Sequence, residues 1–318
     1  MNFYAPIQDL MLQVEQRLRS QADSHHPDLG AALDHLLSSG GKRIRPAVTL
    51  LAGTMLGADT DSLVTLASAI ELLHTATLVH DDLIDGAVLR RGITTLNARW
   101  SPAATVLTGD FIFARAARLA AETNSVTLMR MFAETLATIV NGEITQLFAS
   151  RGNASRENYD QRIYAKTASL FELAATSVAM LSPVGEPVVE KMRCFGYDLG
   201  MAFQIVDDIL DFTGEQATVG KPLASDLRQG LVTLPAIYYL EMRPSDPDMD
   251  AVLSGDPGAP VDMERLVSAI RASGAVERAL QEASDYIDQG LACLAEMPDN
   301  PSRRSLEDLA RYSVERRL

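Results

Sequence analysis

The sequence predicts an all-α fold. Alanine and leucine recur at spacings of three and four residues, which is the period of an amphipathic helix, and the apolar/polar alternation of strands is almost absent. Aromatic residues, which favour strands, make up only 6% of the chain. The hydrophobic fraction, 47% of 318 residues, is ample for a core. We therefore expect one large helical domain over residues 1–318, although the length alone would also allow two.

The expected helices follow one another from the first residues to the last. Ile7, Leu10, Val14 and Leu18 share one side of the first helix, and Pro46 fits the first turn of another. Polar or glycine-containing breaks at Ser38–Gly41 and Arg151–Asn153 separate neighbouring helices. The predicted ranges are 6–22, 28–38, 46–56, 60–85, a helix that begins at Ser101-Pro102, 124–150, 155–165, 166–181, 187–213, 231–242 and further helices within 261–315.

Two stretches contain the glycine and proline residues typical of irregular structure. Residues 214–230 read as a flap or loop, and residues 243–260 are the best candidate for a linker. The sequence shows no internal repeat and no low-complexity tract. Helices are expected to resume after each stretch, so neither one argues for a separate domain.

Composition excludes several classes of protein. The net charge of −14 argues against a general nucleic-acid surface, which needs clustered lysine and arginine. Cys194 and Cys293 are too few for a disulfide framework, so a reducing compartment is expected. The first residues lack the features of a signal peptide, and no stretch of 18 uninterrupted apolar residues occurs. We expect a cytoplasmic protein with no nucleic-acid partner and no stable membrane insertion.

An acidic cluster lies late in the helix predicted over residues 60–85. At about 100° per residue, His74, Asp81 and Asp85 share one face, and Asp82 lies on its flank. The helix macrodipole is negative at this end, so these carboxylates repel each other and the helix terminus unless cations bind among them. Ligands that are all oxygen favour a hard cation, magnesium before zinc. A solvated helix end is the alternative for this motif taken alone.

A second cluster repeats the spacing of the first. Asp207, Asp208 and Asp211 lie late in the helix predicted over 187–213, with Gln204 upstream on the same stripe as Asp208 and Asp211. If the two helices run parallel, both clusters open at the same end of the bundle. A pocket lined by six carboxylates would hold several divalent ions, each able to bridge carboxylate and phosphate oxygens.

Basic residues lie close to these motifs in the sequence. Lys42, Arg43 and Arg45 belong to GGKRIRP, a glycine-rich turn before a helix, where backbone N–H groups also favour an anion. Plain surface charge is the alternative for each basic group. Other candidate anion-binding residues are Arg90 and Arg91, just after the first cluster, and Lys166 and Thr167, at an expected helix start. Lys221 in GKPLASD could close over the site from a loop.

The order of these motifs resembles that of trans-isoprenyl diphosphate synthases, in particular their medium- and long-chain members. The segments that carry the resemblance span the chain: GGKRIRP, LVHDDLIDGAVLRRG, Lys166-Thr167, FQIVDDILDFTG, GKPLASDLRQG and LARYSVERRL. The resemblance implies a single helical bundle of the isoprenoid synthase type with a central active-site cavity. It also implies a prenyltransferase that condenses isopentenyl diphosphate with an allylic diphosphate and releases pyrophosphate.

The resemblance further implies a role for each motif. Asp81 and Asp85 would bind two magnesium ions and Asp207 a third, with Asp82, Asp208 and Asp211 in or beside the same shell. The allylic diphosphate would be held by Arg90, Lys166, Thr167, Gln204 and Lys221. Isopentenyl diphosphate would be held by Lys42, Arg45, His74 and Arg91. Family members are commonly homodimers and some long-chain members need a small second subunit, so we expect a homodimer without excluding such a subunit.

Product length is expected to depend on residues just before the first aspartate cluster. Ala76 and Thr77, five and four positions before Asp81, are small, whereas a bulky aromatic there gives farnesyl or geranylgeranyl products in this family. We therefore expect a product longer than geranylgeranyl diphosphate, with Phe113, Leu147 and Phe148 as candidates for the floor of the tunnel. The alternative is that Ala76 is small only so that a neighbouring helix can pack.

Several other readings stay open at this point. A farnesyl or geranylgeranyl diphosphate synthase is the nearest alternative, and Leu231 departs from the lysine that many short-chain members have after the glycine of DLRQG. A class I terpene cyclase would carry an Asn/Ser/Glu-type second metal motif in place of DDILD. A non-enzymatic subunit should have eroded aspartates, and a di-metal carboxylate bundle would need Glu-x-x-His pairs.

Overall fold

The computed structural model describes residues 3–23, 26–38, 40–148, 154–214, 223–256 and 260–315, and these residues are mostly helical. The all-α prediction is confirmed. Short 3₁₀ turns, Ala5–Ile7 and Ser20–Ala22, flank the first helix. The helices are α1 (Gln8–Arg19), α2 (Pro27–Ser38), α3 (Ile44–Leu56), α4 (Thr60–Ile84), α5 (Pro102–Glu122), α6 (Val126–Phe148), α7 (Arg156–Ile163), α8 (Ser169–Met180), α9 (Glu186–Thr213), α10 (Ser225–Arg228), α11 (Leu234–Met242), α12 (Pro247–Ser254), α13 (Met263–Ala272), α14 (Ala275–Leu294) and α15 (Pro301–Glu315).

The chain divides into two compact units. The first comprises Met1–Leu136, Leu170–Arg193 and Glu296–Asp308, and the second comprises Ala137–Ser169, Cys194–Ala295 and Leu309–Leu318. In the first unit α4 packs against α1, α3 and α5. In the second, α11 packs against α7, α13 and α14. The expectation of a single domain over the whole chain stays a prediction.

Helix α4 is the long buried helix of the first unit. The Asp59 side chain caps its start by accepting a hydrogen bond from the Ser62 N–H at 3.0 Å. Among the described residues, α4 alone is long and apolar enough to cross a membrane by length and composition, yet 78% of its most apolar window is buried inside the protein. Its apolar character is therefore explained by packing against neighbouring helices.

A hairpin that the sequence analysis missed follows α4. Strands β1 (Leu89–Arg90) and β2 (Ile93–Thr94) pair antiparallel, and they are the only strands in the described ranges. Arg91 and Gly92 form the turn with φ values of 53° and 77°. Positive φ at both central residues is the signature of a type I′ turn, whose twist matches the flanking strands. The glycine at the second position was an available signal.

Two predicted boundaries are wrong. Residues 155–181 do not form two separate helices, because a π-helical turn, Tyr164–Ala168, joins α7 directly to α8. The expected linker at 243–260 contains α12, whose Asp246-Pro247 start is a cap followed by proline at the first helical position. That pair is a helix-start signal and not the mark of a flexible connection. Residues 151–153 and the central part of the expected flap lie outside the described residues, while α10 lies within the range predicted for the flap.

Two glycines provide opposite tests of this packing. A Cβ added at Gly53 in α3 would lie 2.0 Å from Leu63 Cδ2 and 2.6 Å from Val178 Cγ2, whereas one added at Gly30 in α2 meets nothing within 4 Å. We expect Gly53→Ala to lower the free energy of unfolding by about 1–3 kcal/mol through overpacking. Gly30→Ala should raise it by roughly 0.5–1 kcal/mol, because alanine has the higher helix propensity. Urea unfolding followed by circular dichroism measures both, and equal effects would contradict the packing of α3.

Candidate functional site

The first aspartate cluster lies at the C-terminal end of α4. Asp81 is partly exposed and Asp85, the last residue of the turn that ends the helix, is exposed. Asp82 is 5% exposed, and its Oδ1 accepts a hydrogen bond from Arg90 Nε at 2.8 Å. The hairpin that follows α4 therefore folds back onto the helix through an ion pair, and the three aspartates differ in their surroundings.

The same hairpin contacts the glycine-rich basic turn. Arg91 Nη1 donates a hydrogen bond to the carbonyl oxygen of Gly40. A Cβ at Gly41, where φ is +149°, would lie 2.7 Å from Arg91 Nη1, so a side chain at this position would displace the guanidinium. The structure thus brings GGKRIRP together with the arginines of the hairpin. In the sequence these two motifs are about fifty residues apart.

Arg43 is mostly buried, with 13% of its side chain exposed, and is not one of the solvated basic groups of this turn. It adopts a left-handed backbone with φ of 47°. Its guanidinium donates to Glu15 Oε1 at 2.7 Å, to Glu71 Oε1 at 2.8 Å and to the Leu37 carbonyl at 3.0 Å. Burial raises the pKa of the Glu71 carboxyl, against the opposing pull of Arg43 and Arg45. Arg43 therefore joins the basic turn to α1, α2 and α4.

His74 lies in a strongly positive environment. Burial lowers the pKa of its imidazole well below the ordinary value, and the charges of Arg45, Arg91, Arg90 and Arg43 lower it further. The imidazole is therefore neutral at neutral pH. Arg45 also stacks over the Phe171 ring, 4.6 Å from its centroid. Four arginines around one neutral histidine concentrate positive potential in a way suited to a phosphorylated anion.

Three of the predicted isopentenyl diphosphate residues, Arg45, His74 and Arg91, are thus brought together. The fourth, Lys42, is exposed in the same turn, and its backbone carbonyl accepts a hydrogen bond from the Tyr4 hydroxyl. Arg90, predicted to hold the other substrate, lies in the same cluster and pairs with Asp82. The first unit therefore contains a group of arginines that act electrostatically on His74, two of them paired with carboxylates.

The second aspartate cluster, on α9, is part of a chain of hydrogen bonds. Thr167 Oγ1 donates to Gln204 Oε1 at 2.6 Å, and Gln204 Nε2 donates to Asp208 Oδ1 at 2.8 Å. The Tyr159 hydroxyl donates to Asp208 Oδ2 at 2.8 Å. Burial raises the pKa of Asp208 to about 7, although both hydrogen bonds act to lower it. Thr167, Gln204 and Asp208 were predicted to share a site, and the structure brings them into direct contact.

Asp211 holds the segment that follows α9. Its Oδ1 accepts from the Ser225 N–H at 3.0 Å and the Ser225 hydroxyl at 2.9 Å, and its Oδ2 accepts from the Asp226 N–H at 3.1 Å. The carboxylate therefore satisfies N–H groups at the start of α10. Asp207 is partly exposed on the same helix. Lys221, predicted to close over the allylic substrate from this loop, lies outside the described residues.

Lys166 and Thr167 do not stand at a helix start, as the sequence analysis expected. They lie inside the π turn, where the Ser169 N–H bonds the carbonyl five residues back, on Tyr164. Lys166 is exposed and its Nζ lies 3.4 Å from Glu143 Oε1. Gly142 on α6 allows the turn to pack closely, since a Cβ there would lie 2.5 Å from the Ala165 Cβ. Short π segments frequently occur at functional sites.

Two residues that were not among the predicted site residues, Tyr159 and Arg162, lie beside Asp208. Arg162 lies with its guanidinium carbon 5.5 Å from the centroid of the Tyr159 ring and donates to the Val232 carbonyl at 2.7 Å. Burial and the nearby Asp208 carboxylate raise the pKa of Tyr159, so its hydroxyl remains a donor. Tyr159 precedes Lys166 by two helical turns, a spacing that the assumed helix break at 165 concealed.

The donor set of the two clusters fits magnesium bound together with phosphate. No group of three or more His, Cys, Asp or Glu side chains within the described ranges is arranged to hold a metal ion by protein ligands alone. Asp82, Asp208 and Asp211 already accept hydrogen bonds from protein groups. Magnesium commonly takes one or two carboxylates and completes its shell with water and substrate phosphates. All-carboxylate clusters of this kind suit such binding.

The residues proposed to control product length divide into buried and exposed groups. Ala76 is fully buried, one turn before His80, which packs against α5 with its Nε2 3.2 Å from the Val106 carbonyl. Thr77 is half-buried and its hydroxyl donates to the His74 carbonyl at 2.7 Å. Leu147 and Phe148 are 58% and 86% exposed in the single chain, and their role as the tunnel floor stays a prediction. They end α6, where the chain provides no covering side chains within the described part.

The fold is almost entirely helical. It carries arginines around a neutral histidine and carboxylates at the ends of two helices, a combination suited to binding phosphorylated substrates. The chain belongs to the polyprenyl synthetase family, whose sequence profile matches residues 26–270. It is therefore an enzyme, a prenyltransferase of that family, as the order of its motifs predicted.

Relatives and solved structures agree with this assignment over nearly the whole chain. Component 2 of heptaprenyl diphosphate synthase from Geobacillus stearothermophilus is 39% identical over 312 residues, covering 97% of this chain and 96% of the relative. Octaprenyl diphosphate synthase from Escherichia coli is 36% identical, covering 89% and 88%. The crystal structure of a polyprenyl synthase from Caulobacter crescentus, complexed with calcium and isoprenyl diphosphate, has a TM-score of 0.92 at 37% identity and covers 100% of this chain and 98% of its own.

The electrostatics of His74 can be tested without any catalytic measurement. We expect the His74 imidazole to stay neutral at pH values where an ordinary histidine, with a pKa near 6.5, is already protonated. Adding inorganic pyrophosphate should raise the pKa of His74, because the anion offsets the charge of the surrounding arginines. NMR titration of histidine-labelled protein measures this, with the signal assigned by its loss in His74→Gln.

The control for this titration is sodium chloride at matched ionic strength, which screens the arginines without binding specifically. The other four histidines of the chain serve as internal references. An ordinary pKa for His74, or one that pyrophosphate and chloride change equally, would contradict the anion site.

Proposed function

We propose that this prenyltransferase is a trans-polyprenyl diphosphate synthase, which condenses isopentenyl diphosphate head to tail with an allylic diphosphate and releases pyrophosphate. The observation that carries the proposal is the arginine cluster around His74 beside the aspartate-rich end of α4. The relatives named above make heptaprenyl and octaprenyl diphosphates by name, and the Caulobacter crescentus enzyme was crystallised with an isoprenyl diphosphate.

The aspartates are the groups suited to hold magnesium on the allylic diphosphate. Asp81, Asp85 and Asp207 would contact the ions, about three in number, and Asp82, Asp208 and Asp211 would lie in or beside the same shell. When bound, magnesium supplies positive charge that stabilises the pyrophosphate leaving group. The calcium in the Caulobacter crescentus structure is a hard divalent cation of the same kind, which supports the proposal.

The basic and polar residues bind and orient the two substrates. Arg90, Lys166, Thr167, Gln204 and Lys221 would hold the allylic diphosphate, and Lys42, Arg45, His74 and Arg91 would hold isopentenyl diphosphate. Arginine forks suit the paired oxygens of a diphosphate, and neutral His74 can donate one hydrogen bond without adding to the charge. Ionisation of the allylic carbon–oxygen bond leaves a carbocation, the alkene of isopentenyl diphosphate attacks it, and the departing pyrophosphate accepts the proton that is then lost.

The product is longer than geranylgeranyl diphosphate under this proposal. Ala76 and Thr77 are both small, so neither position carries the bulky aromatic ring that would limit elongation behind the first aspartate cluster. The heptaprenyl and octaprenyl enzymes among the relatives support a long product. A farnesyl or geranylgeranyl diphosphate synthase remains the alternative that product analysis distinguishes.

Assembly as a homodimer forms part of the proposal. Along α6, the apolar side chains Val140, Ile144 and Leu147 recur at helical spacing and are 44–58% exposed. An exposed apolar stripe of this kind is typical of a surface that a partner covers. Two relatives are named as component 2 of a heptaprenyl diphosphate synthase, so a small second subunit is the other candidate partner. We place the enzyme in the cytoplasm without stable membrane insertion.

The activity is tested by incubating the full-length protein with labelled isopentenyl diphosphate, magnesium and each allylic primer separately. We expect magnesium-dependent incorporation that Asp81→Asn, Asp85→Asn and Asp207→Asn each reduce by about 10²–10³-fold, because each removes a carboxylate that would hold magnesium on the leaving group. Asp61→Asn, an exposed position at the other end of α4, is the matched control and should keep full activity. Incorporation that continues after magnesium has been chelated would contradict the proposed role of these aspartates in metal binding.

Product length is tested at Ala76. We expect Ala76→Tyr to shorten the product to about the farnesyl or geranylgeranyl range while the first condensation, measured with geranyl diphosphate, continues, because the ring blocks elongation and not the chemistry. Ala76→Val should shorten it less. Reversed-phase chromatography of the dephosphorylated products measures length.

Thermal unfolding of the same variants separates this effect from misfolding. If both variants lose activity and stability together and chain length does not change, Ala76 is small only to let helices pack.

A further inference from the structure

Tyr159 is a buried polar residue to which the proposed function assigns no role. It is 1% exposed on α7, and its hydroxyl donates a 2.8 Å hydrogen bond to Asp208 Oδ2. Arg162 lies over one face of the ring, and Arg162 is itself fixed by a 2.7 Å hydrogen bond to the Val232 carbonyl. A tyrosine fixed in this way can place its hydroxyl at one defined point.

The hydrogen bonds beyond Asp208 all run in one direction. Asp208 Oδ1 accepts from Gln204 Nε2, and Gln204 Oε1 accepts from the Thr167 hydroxyl. An amide has a donor end and an acceptor end, and a carboxylate can accept only from the donor end. Asp208 therefore sets which way the Gln204 amide faces, and the amide in turn sets the direction of the Thr167 hydroxyl.

The carboxylate performs this role only while its own rotation is restricted. Gln204 contacts one oxygen of Asp208 and Tyr159 contacts the other, so the two donors together define the plane of the carboxylate. Without the tyrosine hydroxyl, Oδ2 would be a buried acceptor with one strong donor fewer, and the group could turn. Buried hydrogen-bond chains of this kind lose their geometry as a unit.

We propose that Tyr159 is a positioning residue for the allylic diphosphate, acting through Asp208 to fix the orientation of Gln204 and Thr167. The inference rests on the proposed function, which assigns Gln204 and Thr167 to the allylic diphosphate. Tyr159 itself touches no substrate. Its removal is therefore expected to affect one of the two substrates, whereas a general loss of stability would affect both.

The test compares Tyr159→Phe with Tyr239→Phe in the full-length enzyme. Both changes remove one buried hydroxyl that donates to an aspartate, since the Tyr239 hydroxyl bonds Asp246 Oδ2 at 2.6 Å. We expect Tyr159→Phe to lower kcat/KM for the allylic diphosphate by about 10–100-fold, the range found when groups that orient ligand-binding side chains are removed. KM for isopentenyl diphosphate should stay within about twofold, and Tyr239→Phe should behave as wild type in both.

A double variant tests whether Tyr159 acts through the chain of hydrogen bonds. In a Thr167→Val background the end of the chain is already lost, so adding Tyr159→Phe should reduce kcat/KM for the allylic diphosphate by much less than it does alone. Full additivity of the two changes would overturn the inference. So would equal losses in Tyr159→Phe and Tyr239→Phe, since that result indicates a general cost of removing a buried hydroxyl.

A binding measurement separates this inference from the proposed function. Calorimetric titration with inorganic pyrophosphate and magnesium requires no turnover, and we expect Tyr159→Phe to weaken binding about tenfold relative to wild type and Tyr239→Phe. If wild type incorporates no isopentenyl diphosphate with any primer, the proposed function fails and this titration alone decides the role of Tyr159. Equal binding by all three proteins, or no binding by wild type, would overturn the positioning role.

Discussion

The basic cluster of the first unit depends on the buried ion pairs of Arg43. This one guanidinium donates hydrogen bonds to Glu15 on α1, to Glu71 on α4 and to the Leu37 carbonyl on α2. Breaking a buried pair by removing one partner typically costs about 3–5 kcal/mol, because the remaining charge is left uncompensated. Gly40, Gly41 and Arg43 all have positive φ, a conformation that glycine adopts readily and that costs a residue such as arginine more. Lys42 and Arg45 therefore lie on a turn that the hydrogen bonds of Arg43 hold in place. Arg91 adds a second contact to this turn by donating to the Gly40 carbonyl.

The two aspartate motifs have the same spacing. Their second aspartates have similar surroundings, whereas their last aspartates do not. The second aspartate is buried in each motif, Asp82 beside Arg90 and Asp208 beside Gln204 and Tyr159. Helix geometry explains this, since one residue is a rotation of about 100° from its neighbour and turns the second carboxylate away from the face of the first. The last aspartates differ. Asp85 is exposed after the end of α4, whereas Asp211 holds the start of α10. Some aspartates of the repeated motif are thus exposed to solvent, whereas others form hydrogen bonds to protein groups and stabilise the local structure.

The sequence was sufficient for those features that arise from local pattern or charge. Periodicity predicted the helices, and the spacing of His74, Asp81 and Asp85 predicted their common face. Contacts between distant residues were not accessible. Nothing near Arg43 indicates that it is buried, because its partners Glu15 and Glu71 are each 28 residues away. The π turn at Lys166-Thr167 has no compositional signature, since one extra residue in a helical turn changes no residue type. The helix break assumed there also concealed Tyr159, whereas Arg91-Gly92 and Asp246-Pro247 carried local signals for a turn and a helix start.

A net charge of −14 opposes the approach of diphosphate substrates at long range. At physiological ionic strength the Debye length is about 8 Å, so an arriving anion responds chiefly to charges within that range of the site. The charges around His74 include four arginines, of which Arg43 and Arg90 are paired with carboxylates of α1 or α4. These pairings fix those two guanidinium groups in place before substrate arrives, so little ordering of these two side chains remains to be done on binding. Burial is the first cause of the lowered His74 pKa, and the same arginines add to it, because the positive potential that attracts a diphosphate also disfavours a proton on the imidazole.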